Sequence, residues 1–95
     1  MQRKYEIAFL LRENEYTAVI ERIKSALEKV SAGLQSEDTK MGVRELAYIL
    51  IKNREKFRRA FYYFVKVEAT PEQIRNFEQE TKYDQGILRR MIVAE

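Results

Sequence analysis

The stretch from Gly42 to Val67 constrains this chain more than any other. GVRELAYILIK is apolar and β-prone, a cluster of positive charge follows (Lys52, Arg54, Lys56, Arg58, Arg59), and AFYYFVKV is a second strand-like run. Two such runs around a charged turn predict a long β-hairpin. One face of Val43–Lys52 carries Arg44, Leu46, Tyr48 and Leu50; the other carries Val43, Ala47, Ile49 and Ile51, with Glu45 as the exception. In the returning run Phe61, Tyr63, Val65 and Val67 alternate with Ala60, Tyr62, Phe64 and Lys66. Both faces of both strands are substantially apolar, so neither is a plain solvent-facing edge. The remaining chain must bury one face and leave the other for a different use.

Before the hairpin, Tyr5, Ile7, Phe9 and Leu11 alternate with Lys4, Glu6, Ala8 and Leu10, the period of a central strand. Tyr16, Val19, Ile20, Ile23, Leu27 and Val30 then recur at helical spacing, with Asn14 as the expected N-cap and Ala32-Gly33 as the end. Leu34–Met41 is polar and acidic without a period, and it reads equally as a loop or as a bulged start to the next strand. After the hairpin, Thr70-Pro71-Glu72-Gln73 is a helix start with the pattern of a capping box. Ile74, Phe77 and Thr81 form its buried stripe, Asp84-Gln85-Gly86 breaks it, and ILRRMIVA (Ile87–Ala94) is a final strand.

The order β-α-β-β-α-β predicts an α+β fold, the ferredoxin-like split βαβ, as one domain over residues 1–95. Its usual sheet is four-stranded and antiparallel, in the order 4-1-3-2, with both helices on one face.

With neither Cys nor His, the chain lacks a thiolate nucleophile, a disulfide, the commonest general base and the commonest metal ligand. No Gly-rich phosphate loop, HExxH motif or nucleophile elbow occurs. No enzyme, cofactor, metal or small-molecule substrate is expected. No apolar run approaches the roughly 18–20 residues of a membrane span, and MQRKYEI lacks a signal-peptide core, so an intracellular soluble protein is expected.

Net charge is +3, which permits a nucleic-acid partner without requiring one. The segment Lys52–Arg59 has the charge density of a phosphate-contacting tip that projects from the sheet, or of a merely solvated run. Arg3 and Lys4, and Arg89 and Arg90, are further candidates, and adjacency of the first and fourth strands is expected to cluster the two pairs. The helix-free face presents Arg44, Leu46, Tyr48, Tyr62 and Phe64. Such a face fits a protein partner, base stacking as in RNA-recognition modules, or plain cover by long side chains. The RNA-recognition signature needs Gly at the second position of RRAFYYFVKV, and Arg stands there. A free-standing domain stacking single-stranded RNA on Tyr62 and Phe64 is the alternative function.

KYEIAFLL, GVRELAYILIK, RAFYYFVKVEATPEQI and ILRRMIV together resemble the bacterial small-subunit ribosomal protein S-six family, in order and over nearly the whole chain. The pattern Gly42, Arg44, Leu46-Ala47-Tyr48 and Lys52 is its most specific part. The chain departs from the family in carrying Ile49 where Pro is usual, in a shortened first helix and following loop, and in ending at Glu95 without a charged extension. Ile49 adds an N–H to pair, so a more regular strand is expected there.

The resemblance implies a cytoplasmic ribosome component, or one of an organellar ribosome. It implies binding to the central domain of 16S rRNA together with a partner, S-eighteen. Arg44, Leu46, Tyr48, Tyr62 and Phe64 match positions near the partner face. Lys52 closes the hairpin motif and joins Arg3, Lys4, Arg54, Lys56, Arg58, Arg59, Arg89 and Arg90 as expected rRNA phosphate contacts.

Overall fold

β1 (Arg3–Leu11) runs through the middle of a four-stranded sheet in the computed structural model, which describes residues 1–95. It pairs with β3 (Glu55–Ala69) without a break from Arg3↔Ala69 to Leu11↔Phe61, and on its other side with β4 (Ile87–Ala94). β2 (Gly33–Lys52) pairs only with β3. All pairings are antiparallel and the order β2-β3-β1-β4 is the expected one. α1 (Tyr16–Lys29) and α2 (Pro71–Thr81) pack on one face and leave the other bare of helix.

The covered face holds the core. Tyr5, Ile7, Phe9 and Leu11 meet Phe61, Tyr63, Val65 and Val67, and α1 and α2 close over them with Val19, Ile23, Leu27, Ile74 and Phe77. Each such side chain contributes about 1.5–3 kcal/mol by leaving water. Phe9 stacks on Tyr63 with ring centroids 5.9 Å apart and meets Phe77 edge-on at 6.3 Å, geometries that aromatic quadrupoles favour. Tyr16 lies flat on Phe61 at 3.9 Å, which fixes the start of α1. The Tyr63 ring is buried, yet its hydroxyl reaches the rim and donates to Glu37 at 2.7 Å. Lys24 of α1 pairs with the same carboxylate at 3.1 Å, so α1, β2 and β3 are tied at one point.

The two helices are ended by different devices. α2 has the capping box: Thr70 accepts from the Gln73 N–H, and the Gln73 side chain accepts from the Thr70 N–H. α1 has no side-chain cap. Its N-cap is Glu15, not Asn14, which lies in the preceding turn. At its end, Ala32 N–H donates to Leu27 and Ser31 N–H to Glu28, a Schellman motif with Ser31 at φ +63°. The left-handed residue is therefore Ser31, and Gly33 already belongs to β2.

Leu34–Met41 is strand, the first half of β2, and the departures from regularity lie within it and beyond it. β2 takes four steps from Asp38 to Gly42 while β3 takes two, with Gly42 at φ +61° and Asp38 accepting from the Lys40 N–H at 2.8 Å. Between Glu45 and Leu50 it takes five steps against two on β3. Three extra residues are an odd number, so every side chain beyond them changes face. Leu50 consequently pairs with Phe57, opposite to the side of Arg44, and Ile51 pairs with Lys56 and is exposed. The expected alternation of Arg44 with Leu50 fails for this reason. The regular strand expected around Ile49 fails too: the restored N–H does not bring Leu46–Ile49 into the ladder.

The loop before β4 is seated against α1. Gly86 is buried, and a Cβ there would lie 2.2 Å from Val19 Cγ2 and 2.9 Å from Glu15 Oε1. Arg22 forks onto both oxygens of Asp84 at 2.8 Å, and Gly86 N–H donates to Asp84 at 2.9 Å. Gly86→Ala must push α1 from the sheet and is expected to cost about 1–3 kcal/mol, read as a lower urea midpoint.

Arg22 first, then the Gly86 N–H and the charge of Lys52, hold the Asp84 carboxyl below the usual carboxylate range. Its folded value is depressed, so its contribution is complete above the unfolded value of roughly 3.9 and is lost as pH falls through the lower folded value. Asp84→Asn is expected to lower stability at pH 7 and to flatten the fall below about pH 4. Urea melts from pH 7 to 2 check this; parallel curves for the two proteins contradict it.

Candidate functional site

Strand register decides which of the expected cations stand together. Arg89 lies opposite Leu10 and Arg90 opposite Phe9, whereas Arg3 is at the far end of β1 beside Ala69. Seven strand residues, roughly 23 Å, separate the two ends. Arg3 and Lys4 therefore do not cluster with Arg89 and Arg90, because an antiparallel neighbour brings the end of β4, not its start, beside the start of β1. Residues paired across strands share a face. Arg90 is thus on the helix side, where it donates to the Thr81 hydroxyl, and Arg89 is exposed on the open side.

The charged turn is shorter than Lys52–Arg59. Only Asn53 and Arg54 turn, at φ 50° and 66°, the two-residue geometry whose twist suits a hairpin. Glu55–Arg59 is already β3. Its alternation puts Lys56 and Arg58 on the open side with Tyr62 and Phe64, and Arg59 on the other, paired with Glu13 at 3.3 Å.

The tip does not project freely, contrary to expectation. Lys52 donates to the Ile87 carbonyl and Asn53 to the Gln85 side chain. Arg12 completes the clip. Its Nε donates to the Gln85 carbonyl at 2.8 Å, its Nη1 pairs with Glu55 at 3.1 Å, and its guanidinium lies 4.8 Å from the Phe57 ring centre. Sequence reasoning places Arg12 only in the polar stretch that ends β1. Its partners lie 43 to 73 residues away, and no periodicity marks it.

One end of the sheet thereby collects Lys52, Arg54, Lys56, Arg58, Arg89 and Arg90. Of these, Arg54, Lys56, Arg58 and Arg89 are exposed and form no ion pair. Burial, then the neighbouring charges of Arg12 and Arg90, push the Lys52 ammonium below its ordinary value.

Beside this end, Leu46–Ile49 arches out of the ladder and forms, with Leu50, Ile51, Leu10, Tyr62, Leu88 and Arg89, an open groove of about 480 Å³. Tyr48 stands at its rim, 86% exposed. Arg44, Tyr62 and Phe64 lie on the same open face, and Arg44 Nε donates to the Met41 carbonyl at 2.8 Å. Tyr62 and Phe64 are half-buried, with rings inclined at 34°. The five expected face residues are thus together, joined by Ile49, Ile51, Met91 and Val93, all exposed. Met91 and Val93 were hidden from sequence reasoning because ILRRMIV shows no clear alternation. No group of acidic residues is placed to hold a metal ion, and no helix is long and apolar enough to cross a membrane.

Comparison with solved structures places this fold beside the 30S ribosomal protein S6 from Thermotoga maritima, at TM-score 0.84 and 22% identity, covering 100% of this chain and 89% of that one. The C-terminal domain of the MgtC protein from Mycobacterium tuberculosis follows at TM-score 0.66 and 11% identity, covering 98% and 87%. An uncharacterized protein from Thermotoga maritima matches at 0.61 and 14%, covering 99% and 98%. At these identities the likeness establishes the fold alone. The family model for Ribosomal protein S6 matches residues 4–94, including both the arch and the basic end of the sheet. The chain therefore belongs to the ribosomal protein S6 family, the rRNA-binding structural proteins of the small ribosomal subunit.

Proposed function

We propose that the chain binds the central domain of 16S rRNA jointly with the ribosomal protein S-eighteen, and so helps to build the platform of the 30S particle in the cytoplasm. The observation that carries this reading is the division of the open surface into a basic end and an adjoining apolar groove. Arg54, Lys56, Arg58 and Arg89 are exposed cations without acidic partners, suited to phosphates. Lys52 and Arg90 flank them from part-buried positions. Arg3 and Lys4 form a separate patch, and Arg59 reaches RNA only by leaving Glu13.

Arg44, Leu46, Tyr48, Tyr62 and Phe64 face the protein partner. An apolar face of this kind marks an interface, and Tyr48 has the chemistry of an interface anchor. Half-buried, inclined Tyr62 and Phe64 do not offer two parallel platforms to successive bases, so stacking on them is the weaker reading.

Binding of the purified chain to a central-domain RNA fragment, with and without S-eighteen, tests the proposal. Weak binding alone, tighter binding with the partner, and a fall in affinity with salt are expected. Failure to co-sediment with 30S particles in moderate salt defeats it. Tyr48→Ala is expected to weaken the S-eighteen complex at least tenfold, about 1.4 kcal/mol, with an unchanged melting temperature. Partner affinity equal to that of the unaltered chain removes the arch from the interface.

A further inference from the structure

The start of β4 borders a small basic hollow that no contact described above fills. Lys52, Lys82, Arg89 and Arg90 line a cavity of about 210 Å³ together with Thr81 and Asp84. The four cations come from three places: the end of β2, the residue after α2, and β4. None of them forms an ion pair. The one carboxylate present is already taken, since both Asp84 oxygens accept from Arg22 and one also from the Gly86 N–H.

Four like charges around one space repel one another, and Asp84, already bonded to Arg22, offsets them only in part through its charge on Lys52. Folding tolerates such a cluster at a cost, and an anion placed among the charges removes that cost. The free donors are ample. Lys82 and Arg89 donate to no protein group, Lys52 gives one N–H to Ile87, and Arg90 gives one to Thr81. A planar carboxylate is satisfied by a single guanidinium fork. Donors converging from three elements instead match the diverging oxygens of a tetrahedral anion. The cavity has the volume of about seven waters at roughly 30 Å³ each, enough for a phosphate group and part of its hydration.

We infer that this hollow is a phosphate site, which takes one phosphodiester of the rRNA backbone between exposed Lys82 and Arg89 on one side and part-buried Lys52 and Arg90 on the other. This rests on the ribosomal reading above and adds to it a defined position for one phosphate, with Lys82 as a contact. The hollow opens to solvent beside exposed Arg89 and Lys82, so a phosphate within a polymer can enter it.

The test uses the whole chain and inorganic phosphate as the first probe. At constant ionic strength, phosphate in place of chloride is expected to raise the melting temperature by a few degrees. The double variant Lys82→Gln/Arg89→Gln, at two exposed positions, loses that rise. It also lowers the slope of log affinity against log salt for the central-domain fragment by about one. Lys56→Gln/Arg58→Gln removes the same charge outside the hollow and keeps the phosphate-specific rise. Equal melting temperatures in the two salts overturn the site, as does equal loss in both double variants. A retained phosphate effect with no change in the RNA salt slope on Lys82→Gln/Arg89→Gln means free phosphate only, and overturns the rRNA assignment. If the chain binds no RNA fragment at all, the ribosomal reading fails, and the phosphate melts still decide whether the hollow binds an anion.

Discussion

Every second residue of β1 and of the facing part of β3 is sealed beneath the helices, so their nine-pair ladder cannot slip by one place without expelling the core. Ile7, Phe9 and Leu11 are all but inaccessible, and Val65, Tyr63 and Phe61 oppose them in that order. That fixed parity settles much else. It sends Tyr62 and Phe64 to the open face, and through the β1–β4 pairing it sends Arg89 there too and Arg90 beneath it. The division of cations between open-face and helix-facing positions is thus a consequence of core packing, decided by residues that carry no charge.

β2 is under a weaker constraint. It has a neighbour on one side only and buries little beyond Val43, so extra residues can be taken up without disturbing the core. The insertion near Gly42 is even and preserves facing; the one after Glu45 is odd and reverses it. The odd insertion makes the arch, and the arch makes the groove. Left alone, an arch on an edge strand would be mobile, and here its far end is clipped. Arg12, Lys52 and Asn53 all bond across to Gln85 or Ile87. The hairpin tip, the end of β1 and the start of β4 therefore move as one unit, which holds the basic end in a single arrangement.

The elements were legible from the sequence because each has a strong local signal. Period two marks β1, spacing of three and four marks α1, and Thr70-Pro71-Glu72-Gln73 marks the start of α2 down to its individual hydrogen bonds. The face carrying Arg44, Tyr62 and Phe64 was legible for the same reason. The arch was not, because an insertion is visible only against its partner strand, and GVRELAYILIK alternates smoothly when read alone. Nor were the ends of α1, where Ser31 adopts the conformation that Gly33 was expected to supply. The clip and the hollow escaped because Arg12, Lys82, Asp84 and Arg90 meet only through tertiary structure. Antiparallel register also separated Arg3 and Lys4 from Arg89 and Arg90, which adjacency of strands alone had suggested were together.

The bond between Arg22 and Asp84 serves both the fold and the basic hollow. It fastens the loop before β4 to α1, and in doing so it commits both oxygens of the only carboxylate at the hollow. Had Asp84 turned fully toward Lys52 or Arg90, the four cations would have an ion-paired internal partner in place of the partial offset Lys52 now receives, and less need of an external one. Holding the loop and keeping the hollow positive are therefore one act, performed from the helix side. The Lys52 ammonium, tethered to Ile87, is pushed below its ordinary value by burial first and then by the charges of Arg12 and Arg90, with Asp84 opposing only in part. A lysine placed that way detracts from the stability of the free chain. It is a residue that packing alone would not choose, and it stands where an anion would relieve it.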